Sequence, residues 1–138
     1  DLDERAVVLL PKEFVKALNA DRQLRRWFDA LSPGMRKWTG AFVDQAKAKD
    51  TRERQAARMA ESLMLAMEGE VEPPPILRAA FLREPLALVG WNSMSAIQRR
   101  NHLLGIFYVQ TVEGRERRAA KAVEAAIEVA RKARADHE

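Results

Sequence analysis

The octet Thr51-Arg-Glu-Arg-Gln-Ala-Ala-Arg58 recurs later in the chain as Gly114-Arg-Glu-Arg-Arg-Ala-Ala-Lys121. Shifting the sequence along itself by 63 residues, from position 51 to position 114, superposes the two octets without a gap. The agreement spreads in both directions, with identical or similar residues at the same shift: Pro11 and Pro74, Phe28 and Trp91, Ser32 and Ser95, Arg36 and Arg99, Glu61 and Glu124. We interpret the chain as a tandem duplication of one helical unit, with copies at residues 10–67 and 73–130.

Length and composition narrow the class of protein. The 138 residues are enough for one ordinary domain with a buried core. The absence of cysteine excludes disulfides, thiol nucleophiles and thiolate metal sites, and it fits a reducing cytoplasm. The longest uncharged runs are too short to span a bilayer. We therefore expect a cytoplasmic protein without membrane insertion.

Both copies carry an excess of positive charge. Residues 10–67 contain twelve Lys or Arg against seven Asp or Glu, and residues 73–130 contain eight against five. This excess is compatible with an anionic partner, although a solvated surface of mixed charge is the commoner cause of such a balance.

The pattern of apolar residues predicts an all-α protein with two pseudo-symmetric helical units, of about four helices each, packed into one domain. Three consecutive prolines at 73–75 forbid helix continuation and indicate a stiff connector. We expect four segments along the chain: an N-terminal arm at 1–9, unit 1 at 10–67, an acidic, proline-rich linker at 68–75, and unit 2 with a C-terminal helix at 76–138.

Helix ends in unit 1 are marked by capping residues. Asp21 is expected to cap the second helix, and Ser32, which precedes a proline, the third. Asp50 stands three residues before Glu53, close to the capping-box pattern, so the fourth helix is expected to start inside the octet. Gly69 is placed to end that helix in a left-handed conformation.

The apolar stripes predict which faces are buried. The third helix of unit 1 carries a stripe that requires a buried Trp38: Met35, Trp38, Phe42, Val43 and Ala46. In unit 2, the second helix takes its apolar face from Leu86, Val89 and Met94. The third helix, at about 97–110, is apolar on nearly every side and is therefore expected to be buried all round, as a central packing element or a dimer interface.

The repeated Arg-Glu-Arg triplets are the main candidates for binding. They allow two interpretations: a capping and salt-bridge arrangement at the helix start, or an anion site built from arginines and free backbone N–H groups. Non-specific contact with a nucleic-acid backbone is a related hypothesis, and a helix-turn-helix reader at Leu31-Ser-Pro-Gly34 is a weaker one. The candidate anion- or nucleic-acid-binding residues are Arg25, Arg26, Arg36, Lys37, Arg52, Arg54, Arg58, Arg99, Arg115, Arg117 and Lys121.

Catalysis has little support in the sequence. His102 and His137 have no second potential ligand three or four residues away, so no metal site is expected. Glu68, Glu70 and Glu72 are typical of a solvated linker rather than of paired catalytic carboxylates. There is no glycine-rich phosphate loop and no nucleophile elbow. We expect no enzyme activity, no cofactor and no bound metal.

Several segments together resemble the bacterial YdeI/OmpD-associated family, also described as bacteriocin protection. They are Pro11-Lys-Glu-Phe-Val-Lys-Ala-Leu18, Trp27-Phe-Asp-Ala-Leu-Ser-Pro33, Ala46-Lys47 and Thr51-Arg-Glu-Arg54, followed by an amphipathic helix. The resemblance covers residues 10–67 closely and residues 73–130 more loosely. It implies a compact helical module in a stress-response or envelope-protection context, with no established reaction.

Two functions are therefore considered. The first is a non-catalytic interaction module of a bacterial stress or bacteriocin-protection protein, with a protein partner or a second copy bound through the apolar helix at 97–110. A Leu104→Asp substitution is expected to disrupt that contact. The alternative is an anion or nucleic-acid binder that uses the two Arg-Glu-Arg helix starts.

Overall fold

The structure, a computed structural model, describes residues 9–137, except for the side chain of His137. Over these residues the backbone forms α-helices and no strand, which confirms the predicted all-α fold class. The predicted N-terminal arm lies outside the described residues apart from Leu9. None of the described helices is both long enough and apolar enough to span a membrane.

The chain divides into two compact units, Asp1–Met67 and Glu68–Glu138. The helices that begin in the first unit are α1 (Lys12–Asn19), α2 (Arg22–Asp29), α3 (Pro33–Asp44) and α4 (Lys49–Val71), and the last residues of α4, 68–71, belong to the second unit. The remaining helices are α5 (Pro75–Arg83), α6 (Pro85–Ser93), α7 (Ala96–Tyr108) and α8 (Val112–His137). Each of α5 to α8 starts 63 residues after its counterpart among α1 to α4, so the predicted duplication and its two four-helix units are confirmed.

Side-chain caps are present at three helix starts, two that were predicted and one at the repeat counterpart of a predicted cap. The Asp21 carboxylate accepts a hydrogen bond from the Leu24 backbone N–H at 3.0 Å. Ser32 accepts one from the Met35 N–H at 3.2 Å, and its counterpart Ser95 forms a full capping box at the start of α7. Because these bonds depend only on residues three positions apart, they are readable from sequence.

Each unit has a core of its own. In unit 1 the rings of Phe14 and Phe28 meet edge to face, with their centroids 5.5 Å apart, and so join α1 to α2. In unit 2 α6 lies along α8 at very short distance: a Cβ added to Gly90 would stand 1.6 Å from the Ala126 carbonyl oxygen. The counterparts of Gly90 and Ala126 in unit 1 are Trp27 and Leu63. Both are buried, so unit 1 has large side chains at positions where unit 2 has a glycine and an alanine.

The fourth helix of unit 1 differs from the prediction at both ends. It begins at Lys49, before the octet, so Asp50 lies in its first turn rather than at its cap. It also runs through Gly69 to Val71, and no described glycine has a positive φ. Gly69 lies where space is tight, because an added Cβ would stand 3.0 Å from the Leu103 side chain, which would have to shift.

The segment at 68–75 is more ordered than an open linker. Pro74, with φ −64° and ψ 158°, has the polyproline conformation, and Pro75 is already the first residue of α5. Glu70 pairs with Arg100 at 2.6 Å, and Glu72 pairs with Arg78. The description of these glutamates as a solvated linker is therefore wrong for Glu70, which lies half-buried within α4, whereas Glu72 is exposed.

The predicted stripe of α3 is confirmed at Val43 and wrong at Trp38. Trp38 is 44% exposed, and α3 buries Thr39 and Gly40 together with Val43. The side chain of Leu10 packs where a Cβ of Gly40 would be, at 2.9 Å, and this contact turns the Gly40 side of the helix inward. The buried Thr39 hydroxyl donates a hydrogen bond to the Arg36 carbonyl oxygen at 2.9 Å, which satisfies its polar group.

Two predictions for unit 2 are wrong in the same way. The predicted face of the second helix is confirmed at Met94, its C-cap, but Val89 is exposed, and α6 buries Ala87, Gly90 and Trp91. The third helix, α7, is not buried all round, because Ile97 is half exposed and only its Leu103, Leu104 and Ile106 side is buried. In both helices the face that packs is chosen by fit against α8 rather than by hydrophobicity alone.

Candidate functional site

Two of the repeated arginines close the carboxyl end of the second helix in each unit. Arg36 Nε donates a hydrogen bond to the Leu31 carbonyl oxygen at 3.2 Å. Its counterpart Arg99 donates through Nη1 to the carbonyl oxygens of Trp91, at 3.3 Å, and of Met94. Leu31 and Met94 are themselves counterparts at the 63-residue shift, so the same contact is present in both copies.

The first arginine of each triplet also donates hydrogen bonds to backbone carbonyl groups, in this case just after the third helix of each unit. Arg52 Nη1 donates to the carbonyl oxygens of Ala46, at 3.2 Å, and Lys47, at 2.6 Å. Arg115 Nε donates to the carbonyl oxygen of Val109, the counterpart of Ala46, at 2.9 Å. A helix end leaves carbonyl groups without intrahelical partners, and these guanidinium groups satisfy them.

These four arginines, Arg36, Arg52, Arg99 and Arg115, are therefore used by the fold. Arg52 also forms an ion pair with Glu13 at 3.3 Å, and Arg115 stands over the Phe107 ring at 5.8 Å from its centroid. A ligand at any of these guanidinium groups would compete with its hydrogen bonds to the backbone.

The other candidate residues lie at the surface. Arg25 forms an ion pair with Asp29 at 3.1 Å within α2. Arg54 donates a hydrogen bond to the Thr51 hydroxyl at 3.2 Å and is exposed together with Arg58, one turn further along α4. The remaining members are all exposed: Arg26, Lys37, Arg117 and Lys121.

A groove of about 530 Å³ lies in unit 1 between α1 and the first turns of α4. Three lysines line it, Lys12 and Lys16 from α1 and Lys49 from α4. The rest of its wall is formed by Glu13, Ala17, Ala20 and Glu53. Because Lys12 and Lys16 are four residues apart, they lie on the same face of α1.

Unit 2 has a groove of about 370 Å³ at the equivalent place, but its charge is opposite. The sequence counterparts of the three lysines are Pro75, Ala79 and Val112, which do not line this groove. Its lining contains one arginine and three glutamates: Arg83, Glu84, Glu116 and Glu124. The two grooves share four equivalent lining positions, and their charges are opposite.

Two side chains have shifted pKa values. The pKa of Glu13 is lowered by a hydrogen bond to its backbone and by the neighbouring Arg52 guanidinium, against the opposing effect of its burial. Burial lowers the pKa of His102, whose ring lies 6.4 Å from that of Trp91. Residues 9–137 contain no group of three acidic or histidine side chains placed to hold a metal ion.

Comparison with known families accounts for both copies. The profile of the family described as bacteriocin-protection, YdeI or OmpD-associated matches residues 8–64 and again residues 70–128. The chain belongs to this family. Neither the curated proteins nor the solved structures include a match to it. The resemblance inferred from sequence is thus confirmed, and it holds for the second copy as well as for the first.

In this member of the bacteriocin-protection family, the outward face of the second helix also differs between the copies. On α6 that face consists of Pro85, Leu88, Val89 and Asn92, all exposed and none charged. The same face of α2 is formed by charged residues: Arg22, Arg25, Arg26 and Asp29. Leu88 and Val89 are 40% and 56% exposed, so an apolar surface has replaced a charged one.

Sequence reasoning overlooked the groove lysines of this family member, because it gave most weight to residues that agree between the copies. Lys12, Lys16 and Lys49 have no lysine at the equivalent positions, so they do not stand out in the alignment of the repeats. The sequence did show that all three lysines of one copy are replaced by uncharged residues in the other, and this difference could have drawn attention to them.

Proposed function

We propose that this chain is a non-catalytic interaction module of the bacteriocin-protection type, and that its partner is a second copy of the chain, bound through the outward face of α6. The observation that supports the proposal is the exposure of Leu88 and Val89 on a helix without any charged residue. Exposed apolar side chains grouped on one helix face favour protein–protein contact.

A second copy suits this face because the face is uncharged. In a two-fold contact each residue meets the same patch on the other molecule, so charged side chains would repel unless they were offset. Leu82, three residues before α6, is 84% exposed and extends the apolar surface along the chain.

The expected affinity is low. Burial of the exposed parts of Leu82, Leu88 and Val89 from both copies would contribute roughly 8 kcal/mol before the cost of association. After that cost, a dissociation constant of about 0.1–1 mM is expected. Association should therefore appear only at high protein concentration.

The test replaces Leu88 and Val89 with the residues at the equivalent positions of α2, as Leu88→Arg/Val89→Arg. Sedimentation equilibrium from about 10 µM to about 1 mM should show association of the wild type and none of this variant. Gln23→Arg/Ala57→Arg, at two exposed positions of unit 1, adds the same charge and should associate as the wild type does. A wild type that stays monomeric throughout would refute the proposal, and so would equal association of all three proteins.

A second candidate, contact with a nucleic-acid backbone, is favoured by the exposed part of the octets. Arg54 and Arg58 lie one turn apart on α4, and Arg117 and Lys121 repeat that arrangement on α8. Such contacts are electrostatic and weaken steeply as salt concentration rises.

Fluorescence anisotropy with labelled duplex and single-stranded DNA, at low and physiological salt, tests this second function. Arg54→Ala/Arg58→Ala should weaken binding and reduce its salt dependence, whereas Lys132→Ala/Arg134→Ala, near the end of α8, serves as the control of equal charge. Arg52 is unsuitable for substitution here because it closes the end of α3. If no DNA binds at low salt, this function is excluded.

A further inference from the structure

We propose that the groove between α1 and α4 of unit 1 binds a small phosphate monoester. This inference does not depend on the proposed self-association, because the groove residues lie on α1 and α4 and not on α6. It rests on the charge, the shape and the backbone of the groove.

The three lysines of the groove have unused hydrogen-bonding capacity. Lys12, Lys16 and Lys49 form neither an ion pair nor a hydrogen bond with any described residue. Each ammonium group can donate three hydrogen bonds. An anion with several oxygen atoms would be able to accept from all three side chains.

The net charge of the groove fits a dianion. The lining carries three lysines against Glu13 and Glu53, a net charge of +1, and Arg52, which lies outside the lining, offsets Glu13 through their ion pair. The remaining positive charge suits the dianion that a phosphate monoester forms near neutral pH, above its second pKa of about 6.

The backbone at the start of α4 adds to this charge. In unit 2 the Thr111 hydroxyl accepts a hydrogen bond from the Gly114 N–H at 3.0 Å, which caps the start of α8. The counterpart of Thr111 in unit 1 is Ala48, which has no side chain that can cap, so the first N–H groups of the 23-residue α4 lack this cap beside Lys49. The positive end of the helix dipole favours an anion here, and Asp50 in the same turn offsets part of it.

The shape of the groove favours a small molecule over a polymer. Its volume of about 530 Å³ is within the range of ordinary ligand pockets. Ala17 and Ala20 give it an apolar wall for the organic part of an ester. Glu13 and Glu53 interrupt the positive surface, which disfavours a long polyanion that would have to pass them.

NMR titration of the whole chain with glycerol 3-phosphate tests the proposal, with inorganic phosphate and a short DNA oligonucleotide as separate arms. Glycerol 3-phosphate should shift the backbone amide signals of Lys49 and its neighbours and should bind more tightly than inorganic phosphate. Lys16→Ala/Lys49→Ala should weaken binding about tenfold or more for each lysine lost. The control, Lys37→Ala/Lys47→Ala, removes the same charge from exposed positions outside this groove and should leave binding within about twofold of the wild type.

Three results would overturn the proposal. Equal weakening in both double variants would show attraction to the general positive charge of the unit and no defined site. Inorganic phosphate binding as tightly as glycerol 3-phosphate would remove the assignment to a monoester. An oligonucleotide that shifts the same signals at lower concentration would identify the groove as part of a nucleic-acid surface. Circular dichroism of each variant establishes that the comparison is between folded proteins.

Discussion

The substitution Gly90→Ala tests the closest helix contact in the protein. A Cβ at position 90 would stand 1.6 Å from the Ala126 carbonyl oxygen and 2.4 Å from its carbonyl carbon. Both atoms belong to the backbone of α8, so no rotation of a flexible side chain can relieve the overlap. Helices α6 and α8 would have to separate, and the packing of Ala87 and Ala122 would loosen with them.

The expected cost of Gly90→Ala follows from two opposing effects. Overpacking typically costs about 1–3 kcal/mol, and a backbone obstacle places this case at the upper end or beyond it. The higher helix propensity of alanine returns up to about 1 kcal/mol. We therefore expect a net loss in the free energy of unfolding of about 2 kcal/mol or more.

Chemical denaturation followed by circular dichroism measures this change, and the chain supplies a matched control. Gly105 is in a helix of the same unit, but its added Cβ would meet only Arg118 side-chain atoms, the nearest at 3.8 Å, which is an ordinary contact. Gly105→Ala should therefore leave the stability unchanged or raise it by up to about 1 kcal/mol. If Gly90→Ala is as stable as Gly105→Ala, the close approach of α6 and α8 is refuted.

Three further measurements test other parts of the structure. In urea denaturation, Arg52→Ala should lower the free energy of unfolding by about 2 kcal/mol, because its charged hydrogen bonds to carbonyl groups are lost. Arg54→Ala should change that free energy by less than about 0.5 kcal/mol. Burial lowers the pKa of His102, so the stability that the neutral ring contributes is complete above about pH 6.5 and is lost as the pH falls through that value toward the lower folded-state pKa. His102→Gln should remove this part of the pH dependence of the free energy of unfolding. Identical pH profiles of the wild type and the variant would contradict the expectation. Leu104→Asp should unfold unit 2, because Leu104 is only 2% exposed, and a folded variant in circular dichroism would show that the burial is wrong.

The sequence predicted the features that depend on near neighbours along the chain. The caps at Asp21 and Ser32 require only a hydrogen bond to an N–H three residues ahead, so residue type and spacing are sufficient. The 63-residue repeat likewise predicted every helix start of unit 2 once those of unit 1 were known. Both signals are local or internal to the sequence.

The features that were predicted wrongly depend on contacts between helices or across chain ends. Trp38 is exposed, while Leu10 packs on Gly40 of the same helix, a contact between residues thirty positions apart. Gly69 matched the pattern of a helix end, yet it lies inside α4, where an added Cβ would stand 3.0 Å from the Leu103 side chain. Hydrophobicity could not distinguish these cases, since an exposed tryptophan and a glycine inside a helix both contradict average preferences.

Agreement and disagreement between the copies carry different information. The repeated arginines Arg36, Arg52, Arg99 and Arg115 hold equivalent backbone carbonyl groups in both units, so this part of the repetition reflects what folding requires. A ligand site in one unit is not needed for folding, so its residues can differ from those of the other unit.

Two of the many differences between the copies change the character of a whole surface. The groove beside α1 has lysines in unit 1, and its counterpart in unit 2 has glutamates; the outward face of the second helix is charged on α2 and apolar on α6. Each change replaces several residues together while the surrounding helices keep their starting positions. The groove of unit 1 and the α6 face of unit 2 are therefore the two surfaces on which binding experiments should begin.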